Sequence, residues 1–140
     1  MTAPVSFPAP AHLRGDHLDT PVRDLMSPGV LSVVEDASLH HVLRAMRRHR
    51  VHAVVVSGRH TGMPLGWVTT RGLLGWIDRD HSLAVARDAI NEPAITIEPE
   101  ATVREAVAKL STERVGRLLV SHTPDAMPEG VVAELDLLGI

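Results

Sequence analysis

The chain has 140 residues, 44% of them apolar, and fourteen Lys and Arg against seventeen Asp and Glu give a formal net charge of −3. This is the length of one domain with enough apolar residues for a core, and with one Phe, two Trp and no Tyr that core is aliphatic. The lack of cysteine excludes disulfides, thiolate chemistry and cysteine zinc sites; the charge does not favour nucleic acid or an anionic membrane, and no apolar run approaches the roughly 20 residues of a membrane span.

Met1 to Asp19 carries Pro4, Pro8 and Pro10 among Ala, Ser and Thr, with little apolar periodicity. It reads as a flexible tail with room for a short packed piece around His12 to Leu18. It lacks a basic start followed by an apolar stretch, so no secretory signal is expected and the cytoplasm is the default location. Thr20-Pro21 then starts a short helix that Ser27-Pro28-Gly29 ends. Val30 to Val34 reads as a strand. Ser38 suits the N-cap of a helix whose Leu39, Val42, Leu43 and Met46 share a face. Val51 to Val56 is almost continuously apolar and reads as a strand buried on both sides. A turn-rich loop leads to a strand over Leu65 to Thr69. A helix is predicted over Thr70 to Ile77, with Leu73, Trp76 and Ile77 on one face.

The second half repeats these elements. Val85 to Ile90 is the short helix and Ala94 to Ile97 the strand. Thr102-Val103-Arg104-Glu105 has the form of a capping box, and Val103, Ala106, Val107 and Leu110 give the apolar stripe that follows it. Arg117 to Val120 and Val131 to Ala133 are strands, and Asp136 to Ile140 begins a last helix. This stub leaves apolar surface on its neighbours, which a homodimer would cover.

The repetition is gapless. Adding 64 carries Arg23-Asp24 to Arg87-Asp88, Arg50-Val51 to Arg114-Val115, Val56-Ser57 to Val120-Ser121, and Gly66 to Gly130. Two copies are too few for a solenoid, which needs about three to bury a continuous core. A pseudo-twofold pair, residues 20–80 and 81–140, is expected. The fold class is α/β (α+β), each repeat holding a small three-stranded sheet with packed helices.

Arg23-Asp24-Leu25-Met26, the strand followed by Glu35-Asp36-Ala37-Ser38-Leu39, and the segments headed by Gly66 and Gly130 resemble the CBS-domain pair, or Bateman module. The resemblance covers Thr20 to Ile140. It implies two clefts between the repeats which, in many members, bind AMP, ADP, ATP or S-adenosylmethionine. The family's ligand motif is Gly, two apolar residues, Ser or Thr, any two residues, then Asp. A hydroxyl and free amides at a helix start suit a phosphate, and the Asp suits ribose hydroxyls.

Here the motif is split. Repeat one keeps Gly66 and Thr69, with Thr70 and Arg71 beside it, but has Gly72 in place of Asp; repeat two keeps Gly130 and Asp136 but has Ala133 in place of the hydroxyl. The resemblance therefore implies ribose binding by Asp136 in the repeat-two cleft, ranked first, and a phosphate donor at Thr69 in the other. A basic residue before the middle strand reaches phosphate in the family; Arg117 holds that position in repeat two, and Ala53, with His52 beside it, in repeat one. Plain alternatives stand beside these roles. Arg117 suits a solvated strand entrance, Asp136 a first-turn carboxylate on the helix dipole, and Thr69 a strand-end hydroxyl bonded to backbone.

The nine histidines show no metal signature: His40 and His41 diverge on a helix, and no HExxH is present. Arg44, Arg47, Arg48 and Arg50 with His49 read as a solvated basic face, with an acidic partner or phosphate as the alternative. Trp76 reads as core or dimer interface, and Trp67 as core, with a cleft-lining role as the alternative. No nucleophile and base, and no close carboxylate pair, are suggested by spacing, so no catalysis is expected. The expected function is a non-catalytic regulatory module that binds an adenosine nucleotide, forms a homodimer and signals to a protein partner. The alternative is a ligand-free dimerisation module with a degenerate motif.

Overall fold

Each half of the chain builds one sheet around one crossover helix. The computed structural model describes residues 17–138, so the tail expected over 1–19 lies outside the described residues except for its last three. Repeat one opens with a 3₁₀ turn, Val22–Asp24, and a two-residue strand β1, Ser27–Pro28. It continues through β2 Ser32–Val34, α1 Leu39–His49, β3 Ala53–Ser57, β4 Pro64–Thr69 and α2 Thr70–Leu73. Repeat two has a 3₁₀ turn, Ala86–Ala89, then β5 Thr96–Ile97, α3 Val103–Glu113, β6 Arg117–Val120, β7 Gly130–Ala133 and α4 Glu134–Leu137. In each repeat the first sheet strand lies parallel to the second and the second antiparallel to the third. A parallel pair needs a crossover connection, and α1 and α3 supply it.

The helix boundaries follow from caps. Ser38 Oγ accepts from the His41 amide at 3.1 Å. Thr102 Oγ1 accepts from the Glu105 amide, and Glu105 Oε2 from the Thr102 amide, each at 3.2 Å, which completes the capping box. Arg50 and Arg114, equivalent under the 64-residue shift, end α1 and α3 in the left-handed conformation, at φ 53° and 56°. The helix expected over Thr70 to Ile77 is α-helical only as far as Leu73, then tightens into a 3₁₀ turn, Leu74–Trp76. Gly72 and Gly75 lie within it, and glycine weakens a helix interior by about 1 kcal/mol.

Strand alternation divides the core into three. Val54 and Val56 of β3 pack with Leu39, Val42 and Met46, and Leu118 and Val120 of β6 with Val103 and Ala106. Val55 and Leu119 point the other way and meet Trp67 in a third cluster between the sheets. Both middle strands are thus buried on both faces.

The two repeats exchange their opening turns. Val22, fully buried, belongs to the repeat-two core, while Ala86 and Ala89 belong to the repeat-one core. Matching backbone bonds hold them: the Val22 amide donates to the Ala101 carbonyl and the Ala86 amide to the Ala37 carbonyl, both at 2.8 Å. Leu18 packs against the repeat-two core and its carbonyl accepts from the Arg104 amide, so packing begins before Thr20. The three-stranded sheet expected in each repeat is found in repeat one. In repeat two, β1 adds a fourth strand, antiparallel to β7.

Candidate ligand cleft

The exchange draws two crossing segments over the strand-to-helix turns, and the motif glycines lie beneath them. A Cβ on Gly130 would stand 2.5 Å from the Ser27 carbonyl oxygen, and one on Gly66 would stand 2.5 Å from Ile90 Cγ2 and 3.1 Å from the Glu92 carbonyl oxygen. Only glycine allows the backbones this close.

In repeat two the crossing leaves an open cleft of about 560 Å³, bounded by Leu31 and His52 from repeat one, by Trp67, and by Arg117, Ala133 and Glu134 from repeat two. Small-molecule sites range over about 300–1,000 Å³. Arg117 and His52, expected from opposite repeats, therefore meet at one cleft. Asp136 is half-buried and not on the cleft wall. Its Oδ2 accepts from the Ala133 amide at 2.8 Å, capping α4, and its Oδ1 accepts no hydrogen bond among the described residues.

The repeat-one turn is covered by the chain itself. Thr69 is 6% exposed, and its Oγ1 accepts from the Gly72 amide at 3.1 Å and from Asn91 Nδ2 at 2.8 Å. Asn91 Oδ1 in turn accepts from the Thr69 amide at 3.0 Å. A Cβ on Gly72 would stand 2.4 Å from Asn91 Cγ. Asn91, whose outer side is exposed, thus takes the space that an aspartate at 72 would need. Thr70 and Arg71 are exposed on the first turn of α2. The Thr70 amide donates to the His52 carbonyl at 2.9 Å, and its side chain borders an apolar groove with Leu43, Leu74 and Ile77.

Two residues at these sites were not singled out from the sequence, Asn91 and Glu92. Glu92 Oε2 accepts from Arg117 Nη1 at 2.5 Å and Oε1 from the Gly116 amide at 2.8 Å. The Arg117 guanidinium also lies 5.5 Å from the Trp67 ring centroid, within cation–π range. Trp67 is both core and cleft wall: it is 3% exposed, in the cluster between the sheets. The available signal was the 64-residue shift, which sets Asn91-Glu92 on Ser27-Pro28 and so places larger polar residues where repeat one has small ones. Among the described residues no three His, Asp or Glu side chains converge as metal ligands, and no helix is long and apolar enough to cross a membrane.

The family model of the CBS domain matches residues 22–79 and 86–140. The chain belongs to the CBS-domain family. Its tandem CBS fold is similar to the CBS domain of the bacterial CNNM/CorC family Mg²⁺ transporter in complex with ATP, with TM-score 0.76, 20% identity and coverage of 91% of this chain and 90% of that one. It is also similar to a CBS-domain protein of Pyrobaculum aerophilum complexed with AMP, with TM-score 0.72, 20% identity, and coverage of 83% and 88%. An uncharacterized 33.4 kDa protein in the ribosomal RNA operon of Thermofilum pendens is 28% identical over 131 residues. That match takes in 84% of this chain but only 42% of the relative's length. At these identities the structural likeness establishes the CBS-pair fold.

Proposed function

We propose that this CBS pair is a non-catalytic regulatory module of the cytoplasm that takes an adenosine-containing ligand in its repeat-two cleft. The observation that carries the reading is the cleft itself: it is open, has Trp67 and Arg117 on its wall, and is built from both repeats. The ATP and AMP complexes of similar folds support the ligand class. A ligand that touches His52 and Arg117 together favours one placement of the repeats over others, and that preference is the signal passed to a protein partner. In the other cleft Asn91 occupies the hydroxyl of Thr69, so that site is the weaker one. Thr70 and Arg71 remain its phosphate-side candidates.

A homodimer belongs to this reading. Leu43 and Val107, a pair under the repeat, are both exposed, as are Leu74 and Leu138. Both halves thus expose equivalent apolar residues, and a second copy would cover them.

A thermal-shift panel with AMP, ADP, ATP and S-adenosylmethionine tests the ligand. At about 100 times its Kd a ligand adds about 2.7 kcal/mol, a rise on the order of 4 °C or more at this size. The rise should vanish in Ala133→Trp, whose indole would obstruct the cleft, measured against that variant's own ligand-free baseline. No rise with any of the four, with the dimer intact by light scattering, would favour a ligand-free dimerisation module.

A further inference from the structure

The charge that would greet a phosphate in the repeat-two cleft is already matched. Arg117 is the only arginine or lysine on the cleft wall among the described residues, and Glu92 holds it. The two side chains are only 22% and 14% exposed, so solvent screens them little. Glu92 is fixed a second time by the Gly116 amide, so releasing Arg117 to a ligand would leave a largely shielded carboxylate with one partner. The other full charge on the wall is Glu134, a carboxylate. At the start of α4 the Asp136 carboxylate already takes the Ala133 amide, so part of that turn's donor capacity is used and a further negative charge stands beside it. The cleft thus sets one guanidinium, already paired with Glu92, against two carboxylates, Glu92 and Glu134, with the His52 imidazole also on the wall. The rest of the wall is largely apolar, with Leu31, Val51 and Val131 beside the Trp67 ring.

Resting on the adenosine reading above, we propose that this cleft selects against phosphate charge. Its ligand is an adenosine derivative with at most one phosphate, or one carrying positive charge, rather than a nucleoside polyphosphate. Glu92 is the residue that sets this preference. It acts through Arg117, by occupying the guanidinium that would otherwise pair with phosphate.

The test is titration calorimetry at low ionic strength, without magnesium, using adenosine, AMP, ADP and ATP against the wild-type protein and Glu92→Gln. Glutamine keeps an acceptor for the Gly116 amide and removes the charge. In the wild type, affinity should fall along the series, by at least about tenfold from adenosine to ATP. In Glu92→Gln, ATP should gain about tenfold or more while adenosine changes by less than about twofold. ATP as the tightest wild-type ligand would overturn the charge selection and leave the adenosine reading standing. An equal change for all four in Glu92→Gln would overturn the role of Glu92. If none of the four binds either protein, and S-adenosylmethionine, the positively charged adenosine probe, does not bind either, both readings fall. The wild-type series decides the selectivity even if the variant does not fold.

Discussion

Replacing Gly72 with alanine should destabilise this protein, although the same change in most helices stabilises. Alanine is favoured over glycine in a helix by about 1 kcal/mol. Against that, the new Cβ would lie 2.4, 2.6 and 2.8 Å from the Cγ, Oδ1 and Nδ2 atoms of Asn91. The asparagine must swing away, and both of its bonds to Thr69 go with it. Each is worth about 1 kcal/mol net. The Thr69 amide lies on a residue only 6% exposed, and leaving it without a partner adds to the loss. The balance is a net loss of about 1–2 kcal/mol, or a fall in Tm on the order of 4 °C. With Asn91→Ala already in place the collision is gone. Gly72→Ala should then stabilise by about 0.5–1 kcal/mol. Urea unfolding of the wild type, both single variants and the double variant gives the cycle, with a coupling of about 2 kcal/mol. A stabilising effect of Gly72→Ala in both backgrounds would refute the claim that Asn91 fills this turn.

Other outcomes follow from the caps and the apolar face. Arg50→Gly and Arg114→Gly should each stabilise by about 0.5–1 kcal/mol, because both positions are left-handed. Thermal melts check this, and a loss at either position would contradict the cap assignment. If the proposed homodimer forms through this face, Leu43→Glu should leave a monomer in size-exclusion light scattering where the wild type is a dimer, with little change in Tm since Leu43 is 39% exposed. A dimer that persists would place the interface elsewhere.

Much of the fold was legible because each element is written twice. The apolar run of β3 and its counterpart in β6, the Ser38 cap and the Thr102–Glu105 capping box rest on local pattern, and local pattern determined them. What was not legible depends on which segments cross. The pairing of Ser27–Pro28 with β7 and the burial of Val22 in the opposite repeat are contacts between residues about eighty to one hundred positions apart, with no periodicity to signal them. The site divides the same way. Arg117, at the start of β6, and His52, just before β3, both line the cleft. In the sequence, Gly72 simply stands where the motif has Asp. Its physical counterpart is Asn91, a residue in a connecting segment with no motif of its own. The Arg117 charge likewise reads differently once Glu92 is beside it, and Glu92 comes from that same segment.

The most direct test of the ligand reading is the calorimetric stoichiometry of AMP, with and without Ala133→Trp. Ala133 lies on the wall of the repeat-two cleft, and an indole there would obstruct it. The account predicts one AMP per chain, and no binding in a folded Ala133→Trp protein. A second AMP bound as tightly as the first, or undiminished binding with the cleft obstructed, would contradict it.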